Sequence, residues 1–313
     1  MMVLDPLAAF PPDCRHGVVT IGHFDGAHLG HAALLRTSRR LADRIGGDVP
    51  VVAVTFEPHA RAVLRPDLPA PAPLTLLPDR LAALREIGAD RAVAIAPTRE
   101  LLELSAGDFF SRVLVRGLAA RGVVEGPDFC FGKNRAGTMV TLCQLCREGG
   151  LELVEAEPVT LDGEPVSSTR IRAGIEAGDV SLAARLLGRP YRLRGAVQQG
   201  DQRGRQLGFP TANLGCATLV PGPGVYAAVA TLPDGTPWPS AVHLGPIPTF
   251  GLAIPRVEAH LIGFSGDLYG QTLALDFVSR LRDPARFSGP EALIHQLRVD
   301  VEQARRAVEA RHG

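Results

Sequence analysis

Between Gly17 and Val154 apolar, β-branched runs alternate with stretches of helical periodicity, and this alternation limits what the first half can form. Gly17-Val-Val-Thr-Ile21, Pro50-Val-Val-Ala-Val-Thr-Phe56, Arg91-Ala-Val-Ala-Ile-Ala96, Val123-Val124 and Leu151-Glu-Leu-Val154 read as strands, Pro50–Phe56 a buried one and Leu151–Val154 the last. Helices are expected over Ala32–Ile45, Pro78–Ile87, Ser105–Leu118 and Thr138–Arg147. Strands joined in this way imply βαβ units and an α/β domain with a Rossmann-like parallel sheet. In such a sheet, ligands bind at the carboxyl ends of the strands.

After Pro190 the pattern changes. Tyr191–Val197, Val225–Thr231, Ser240–Leu244, Arg256–Ile262 and Gln271–Phe277 are short β-rich pieces, separated by turns such as Pro221-Gly-Pro-Gly224 and Pro233-Asp-Gly235. They predict a small antiparallel β-barrel. Ser288-Gly-Pro-Glu291 reads as a capping box opening a C-terminal helix that runs to about Glu309. Asp179–Leu187 reads as a short capped helix stopped by Gly188. The 313 residues exceed one hydrophobic core, so the expected division is 1–187 and 188–313. The proline-rich stretch Leu64–Pro78 reads as a stiff surface connection.

Composition narrows the class of partner. Lys+Arg and Asp+Glu number 33 each, so no global field points to nucleic acid or an acidic membrane, and any anion site is local. Cys14, Cys130, Cys143, Cys146 and Cys216 are an odd, scattered set, which argues for a reducing cytoplasm. Cys143 and Cys146 read as buried small hydrophobes, because no second pair completes a zinc site. No apolar run reaches the ~18 residues of a membrane span. A basic start followed by an apolar core is missing from the N-terminal residues, so a signal peptide is not expected. The expected partners are small molecules, with at most weak or transient self-association.

Gly22-His-Phe-Asp-Gly-Ala-His-Leu-Gly-His31 lies where the first strand turns into a helix. Backbone N–H groups and the helix dipole favour negative charge there. His28 and His31 can donate to phosphate oxygens, and Gly30 between them lets a nucleotide approach the backbone. Structural histidines or a metal pair are the competing readings. Val166-Ser-Ser-Thr-Arg-Ile-Arg172 puts hydroxyls and an arginine at a helix start, a second anion cradle or an ordinary cap. Phe129-Cys-Phe-Gly-Lys-Asn-Arg135 is a glycine-bearing loop with two cations. In the second half, Thr211 and Asn213 are two apart, so in an extended segment both side chains face one way. A hydroxyl and an amide carbonyl suit a hard cation such as Mg²⁺ held with phosphates; an ordinary turn is the alternative.

Together these elements resemble the bacterial bifunctional riboflavin kinase/FAD synthetase family. The first half carries its Gly-x-Phe-Asp-Gly-x-His-x-Gly-His block at 22–31 and Thr-Phe-Glu-Pro-His at 55–59. Asp-Phe-x-Phe-Gly-Lys follows at 128–133 and Ser-Ser-Thr-Arg-Ile-Arg at 167–172. The second half carries the kinase line Gly200 to Leu214, then Val257-Glu-Ala-His-Leu-Ile262 and Gly266-Asp-Leu-Tyr-Gly270. The resemblance implies Mg-ATP-dependent phosphorylation of riboflavin to FMN, then transfer of AMP from ATP to FMN with release of pyrophosphate. His28 and His31 would hold ATP phosphates, Arg170 would grip pyrophosphate, and Glu258 would take the proton from the ribityl 5′-hydroxyl. Gly22, Phe24, Asp25, Gly30, Asp128, Ser167, Ser168 and Thr169 would line the first nucleotide and flavin site. Gly204, Arg205, Gly208 and Pro210 would line the second, and Thr211 and Asn213 would hold the metal.

The chain departs from the family pattern in places. His23 stands for an Asn, Ala60 for a Pro and Cys130 for an Arg, and His243-Leu-Gly-Pro-Ile-Pro-Thr249 replaces a loop that begins Asn-Val-Gly. These departures keep open an enzyme with one of the two activities, one acting on a flavin analogue, or a catalytically silent flavin or nucleotide sensor.

Overall fold

The computed structural model describes residues 3–8, 10–200, 204, 207–246 and 255–311. Two compact units are found: 1–71 with 76–167, and 72–75 with 168–313. The apolar runs of the first half become strands where expected. In chain order the elements are β1 (Val18–Ile21), α1 (Leu29–Ile45), β2 (Val51–Phe56), α2 (Ala60–Leu64), α3 (Leu77–Glu86) and β3 (Arg91–Ile95). Then come α4 (Arg99–Leu102), α5 (Ala106–Phe109), β4 (Gly122–Glu125), α6 (Met139–Gly149) and β5 (Glu152–Glu155).

The sheet is parallel with order β3-β2-β1-β4-β5. β1 pairs with β2 on one side, Val18 opposite Val51, and with β4 on the other, Val18 opposite Gly122. Strand order therefore reverses between β1 and β4, which opens a crevice at their carboxyl ends. Each face of the sheet has its own core, one around Phe109, Leu114 and Leu142, the other around Leu35, Leu41 and Leu84. Burial on both faces is why β1 and β2 read as unbroken apolar runs.

Some expectations need correction. A hairpin, β6 (Thr160–Leu161) and β7 (Glu164–Pro165), follows β5, which read as the last strand. Asp162 and Gly163 turn it with φ of 55° and 78°; two-residue strands leave no periodicity to detect. Ser105 Oγ accepts from Asp108 N–H at 3.0 Å, as a capping box requires. The helix it opens widens after Phe109, Leu118 N–H reaching Val113 O at 2.9 Å. Cys143 is exposed, while Cys146 is buried. The two are one helical turn apart on α6, and only one faces the core. The 64–78 stretch is more than a surface connection. Ala72–Thr75 cluster with the second unit, where Leu219 N–H donates to Pro73 O at 2.9 Å and Arg172 Nε to Ala72 O at 3.2 Å.

The second unit begins with α7 (Ser168–Glu176) and α8 (Val180–Leu187), the latter capped by Asp179 and stopped by Gly188. β8 (Arg192–Gln198), β9 (Ala212–Cys216), β10 (Gly224–Thr231), β11 (Pro237–Pro246), β12 (Pro255–Leu261) and β13 (Thr272–Arg282) follow. They close an antiparallel barrel in the order β10-β11-β12-β9-β8-β13. β9 is the strand the sequence did not announce, being short and glycine-bearing. Tyr226, Phe277 and Tyr191 fill the interior. α9 (Pro290–Glu309) packs on the barrel through Ala304, against Ala227 and Ile262. Ser288 does not cap it: Pro290 takes the first helical position, so the cap falls on Gly289, which has no side chain to offer. Arg282 anchors this helix through both oxygens of the buried Asp300, at 2.8 and 2.7 Å.

Candidate active sites

The first site lies at the crevice between β1 and β4. The chain leaves β1 at Gly22 and turns through Phe24, Gly26 and Ala27, all at positive φ. Phe24, Asp25, Ala27 and His28 are all buried. Thr55 Oγ1 donates to His23 O at 2.8 Å and Arg80 Nη1 donates to the same oxygen at 3.2 Å. Arg80, itself buried, also pairs with Glu57. The turn is thus clamped from β2 and α3.

α1 starts at Leu29, earlier than the sequence suggested, so His28 is its N-cap and His31 lies in its first turn. His28 N–H donates to His31 Nδ1 at 3.2 Å. That leaves a neutral His31 with its proton on Nε2, the nitrogen turned away from the cap. The two imidazoles stack with centroids 3.6 Å apart, and Phe24 meets His31 edge-on at 5.1 Å. At Gly30 a Cβ would come within 3.0 Å of the His28 ring and 3.5 Å of Val166 O. In this structure the glycine therefore admits the His28 ring itself. Asp128 is exposed in the loop after β4. Ser167 ends the first unit, while Ser168, Thr169 and Arg170 form the first turn of α7 in the second.

Glu125, which the sequence reading passed over, ends β4. It is buried, and its Oε1 accepts Ile21 N–H at 2.7 Å. Burial raises its carboxyl well above the usual range, the Ile21 N–H opposing this only in part. Nothing in its tripeptide context marks it, since a glutamate at a strand end is usually solvated.

The second site is a row of side chains across the barrel. In register, His243 on β11 stands opposite Glu258 on β12, Glu258 opposite Asn213 on β9, and Asn213 opposite Gln198 on β8. Directly opposed residues of antiparallel strands share a face. Val257 and Ala259, which flank Glu258, are buried, so the row faces outward. His243 Nδ1 lies 3.6 Å from Glu258 Oε2, and Arg256 Nη1 lies 3.3 Å from Oε1. His243 first, then Arg256, hold the Glu258 carboxyl below the usual range against the opposing effect of partial burial. It is an ionised carboxylate at neutral pH.

Two cavities lie by β9 and β12, and Gln198 and Asn213 of the row line only the second. One of ≈ 370 Å³ is lined by Pro210, Thr211, Ala259, Phe264 and Tyr269. The other, of ≈ 630 Å³, is lined by Gln198, Gly200, Asn213, Cys216 and Arg256. Thr211 and Asn213 thus line different cavities. A Cβ at Gly200 would fall 2.3 Å from Asn213 Nδ2, and one at Gly204 would fall 2.3 Å from Phe209 O. Gly208 needs its glycine for a φ of 84°. Arg205, and Ile247 and Thr249 of the altered loop, lie outside the described residues. Burial pushes the Cys216 thiol up to about 12, which removes it as a nucleophile. Among the described residues no cluster of His, Cys, Asp and Glu forms a metal site.

Residues 11–170 match the FAD synthetase family and residues 187–308 the riboflavin kinase family. The fold and sites therefore define a two-domain flavin-nucleotide transferase. A bifunctional riboflavin kinase/FMN adenylyltransferase of Pseudomonas fluorescens is 40% identical, over 97% of each chain. Proteins of the same description from Bacillus subtilis and Escherichia coli are 33% and 34% identical, each over 92% of this chain and 91% of theirs. A crystal structure described as a macrolide-efflux protein from Streptococcus pneumoniae superposes with a TM-score of 0.87 at 29% identity, over 96% of this chain and 97% of that one. The chain belongs to the bifunctional riboflavin kinase/FMN adenylyltransferase family.

Proposed function

We propose that each unit performs one of the two successive reactions of flavin cofactor synthesis, with its own reactive residues. The barrel phosphorylates riboflavin. Glu258 takes the proton of the ribityl 5′-hydroxyl, the oxygen bonds to the γ-phosphorus of ATP, and the bond to the β–γ bridging oxygen breaks to release ADP. The observation that carries this reading is the ionised Glu258 in register with Asn213, which lines a cavity with Gln198 and Arg256. Thr211 and Asn213 offer a hydroxyl and an amide oxygen, hard donors that fit Mg²⁺ when phosphate oxygens and water complete its shell. The close packing of Gly200 against the Asn213 amide supports a fixed ligand there. Bound Mg²⁺ would neutralise charge on the transferring phosphates.

The parallel-sheet unit adenylylates FMN. A phosphate oxygen of FMN bonds to the α-phosphorus of ATP, and pyrophosphate leaves. His31, whose Nδ1 accepts the His28 N–H, would present its other ring nitrogen to a phosphate oxygen. His28 and the α1 N-terminus add to the same field. Gly22, Phe24, Asp25 and Asp128 shape the turn and loop around the nucleotide and flavin. Ser167 ends this unit, while Ser168, Thr169 and Arg170, which the family resemblance assigns to pyrophosphate, belong to the second. Gly204, Gly208 and Pro210 play the corresponding part for ATP in the barrel.

No observation favours the efflux role given to the Streptococcus pneumoniae protein, and no described helix is long and apolar enough to cross a membrane. Five free cysteines suit a reducing compartment, which supports the cytoplasm. The deciding experiment supplies riboflavin with Mg-ATP and, separately, FMN with Mg-ATP, and separates the products by chromatography. FMN and then FAD are expected from the first, FAD from the second. No FMN from riboflavin would leave a one-activity enzyme; tight flavin binding without turnover would leave a sensor.

A further inference from the structure

Glu258 is gripped from two strands. Each carboxylate oxygen faces its own partner: Arg256 Nη1 lies 3.3 Å from Oε1 and His243 Nδ1 lies 3.6 Å from Oε2. Arg256 is two residues earlier on β12 and so on the same face. His243 comes from β11, directly across the ladder. His260, two residues later on β12, shares the face but is tied through Nδ1 to Pro210 O at 2.8 Å.

The imidazole of His243 has a prepared seat. Gly245 follows it by two residues on β11, and a Cβ there would stand 3.0 Å from His243 Cε1. The ring therefore lies over the bare backbone of Gly245, and any side chain at 245 would push it.

A glutamate on an outward barrel face has a broad terminal torsion. A general base is useful only when one lone pair points at the hydroxyl it deprotonates. Two partners on different strands and different oxygens define the carboxylate plane. A carboxylate has about four acceptor sites, so two remain for the substrate hydroxyl and neighbouring donors. At 3.6 Å the His243 contact is longer than a hydrogen bond, as such contacts often are before substrate closes a site.

We propose that His243 is a positioning residue for riboflavin phosphorylation, fixing the plane of the Glu258 carboxylate against Arg256, with Gly245 as the seat of its ring. This rests on Glu258 being the general base of the kinase reaction.

The test uses the full chain and measures riboflavin phosphorylation and FMN adenylylation in the same preparations. His243→Ala should lower kcat for phosphorylation about 10- to 100-fold, the cost of a misplaced reacting group, with both KM values within about threefold of the parent. His243→Gln, whose amide can still donate to Oε2, should recover much of kcat. Gly245→Ala should show a smaller fall of the same kind. FMN adenylylation in each variant reports that the chain is folded. In a Glu258→Gln background, His243→Ala should cause no further fall. Unchanged kcat in His243→Ala, or a further loss of about tenfold in the Glu258→Gln background, would overturn the role of His243. Full phosphorylation by Glu258→Gln alone would instead overturn the assignment of the base on which it rests.

Discussion

The two catalytic units differ in the group each holds ready. At the parallel-sheet crevice the prepared groups are imidazoles and helix N–H donors around the His28–His31 stack. On the barrel the prepared group is an ionised carboxylate between Arg256 and His243. The nucleophiles explain the contrast. The FMN phosphate has its second pKa at about 6, so it is already an anion at neutral pH and needs only alignment and charge neutralisation. The ribityl hydroxyl must lose a proton, so its site needs a base. A site that handles an anion is built from donors; a site that handles an alcohol needs an acceptor.

Four variants would break or sharpen this contrast, in order of expected effect. His28→Ala with His31→Ala should lower FMN adenylylation by about 10³-fold or more, each lost donor to the phosphates being worth about 10²-fold, and should leave riboflavin phosphorylation unchanged. Products from riboflavin would then stop at FMN. Glu258→Gln should do the reverse, lowering phosphorylation by about 10²- to 10³-fold with adenylylation intact. If either variant, well folded by calorimetry, lost both activities, the division of labour would fail.

Gly30→Ala should have a smaller effect on adenylylation alone, about tenfold, because the new methyl must push the His28 ring, which lies 3.0 Å away. An unchanged rate would mean that the position of this ring does not matter to the reaction. The smallest expected effect concerns stability. The folded Glu125 carboxyl titrates above its unfolded value, so the folded chain keeps a proton that the unfolded chain releases. Its contribution is complete at acid pH, below the unfolded pKa, and is lost as pH rises through the folded one. Glu125→Gln removes this loss while keeping an acceptor for Ile21 N–H. Its melting temperature should exceed the parent's at about pH 8, and the difference should shrink towards about pH 5. A difference independent of pH would show that Glu125 is not a buried acid.

Much of the candidate site was legible because motif chemistry is local. His28, Gly30 and His31 suggest an anion site from their strand-to-helix context, and Thr211 with Asn213 suggests a hard-cation pair, although those two line different cavities. Arg80 and Glu125 were invisible because their importance lies in burial. Arg80 holds the His23 carbonyl from a helix 57 residues away in sequence, and Glu125 holds the Ile21 amide from 104 residues away. Ser288 was misjudged because a serine three residues before a glutamate reads as a capping box until the helix register puts Gly289 at the cap. Cys143 was misjudged because an apolar neighbourhood in sequence says nothing about which side of α6 meets the core.

Short-range order was decided by the sequence itself: unbroken β-branched runs for the parallel strands, helical spacing between them, and glycine- and proline-marked strands after residue 190. These follow from steric and hydrophobic preferences that act within a few residues. Only the tertiary structure decided that β1 and β4 are neighbours, which creates the crevice, and that β12 lies between β9 and β11, which aligns Asn213, Glu258 and His243. Strand pairing depends on how the faces of distant segments bury one another, and no local preference encodes it. His243 shows the difference most clearly. In sequence it is a departure within a loop; across a β ladder it is the residue facing Glu258.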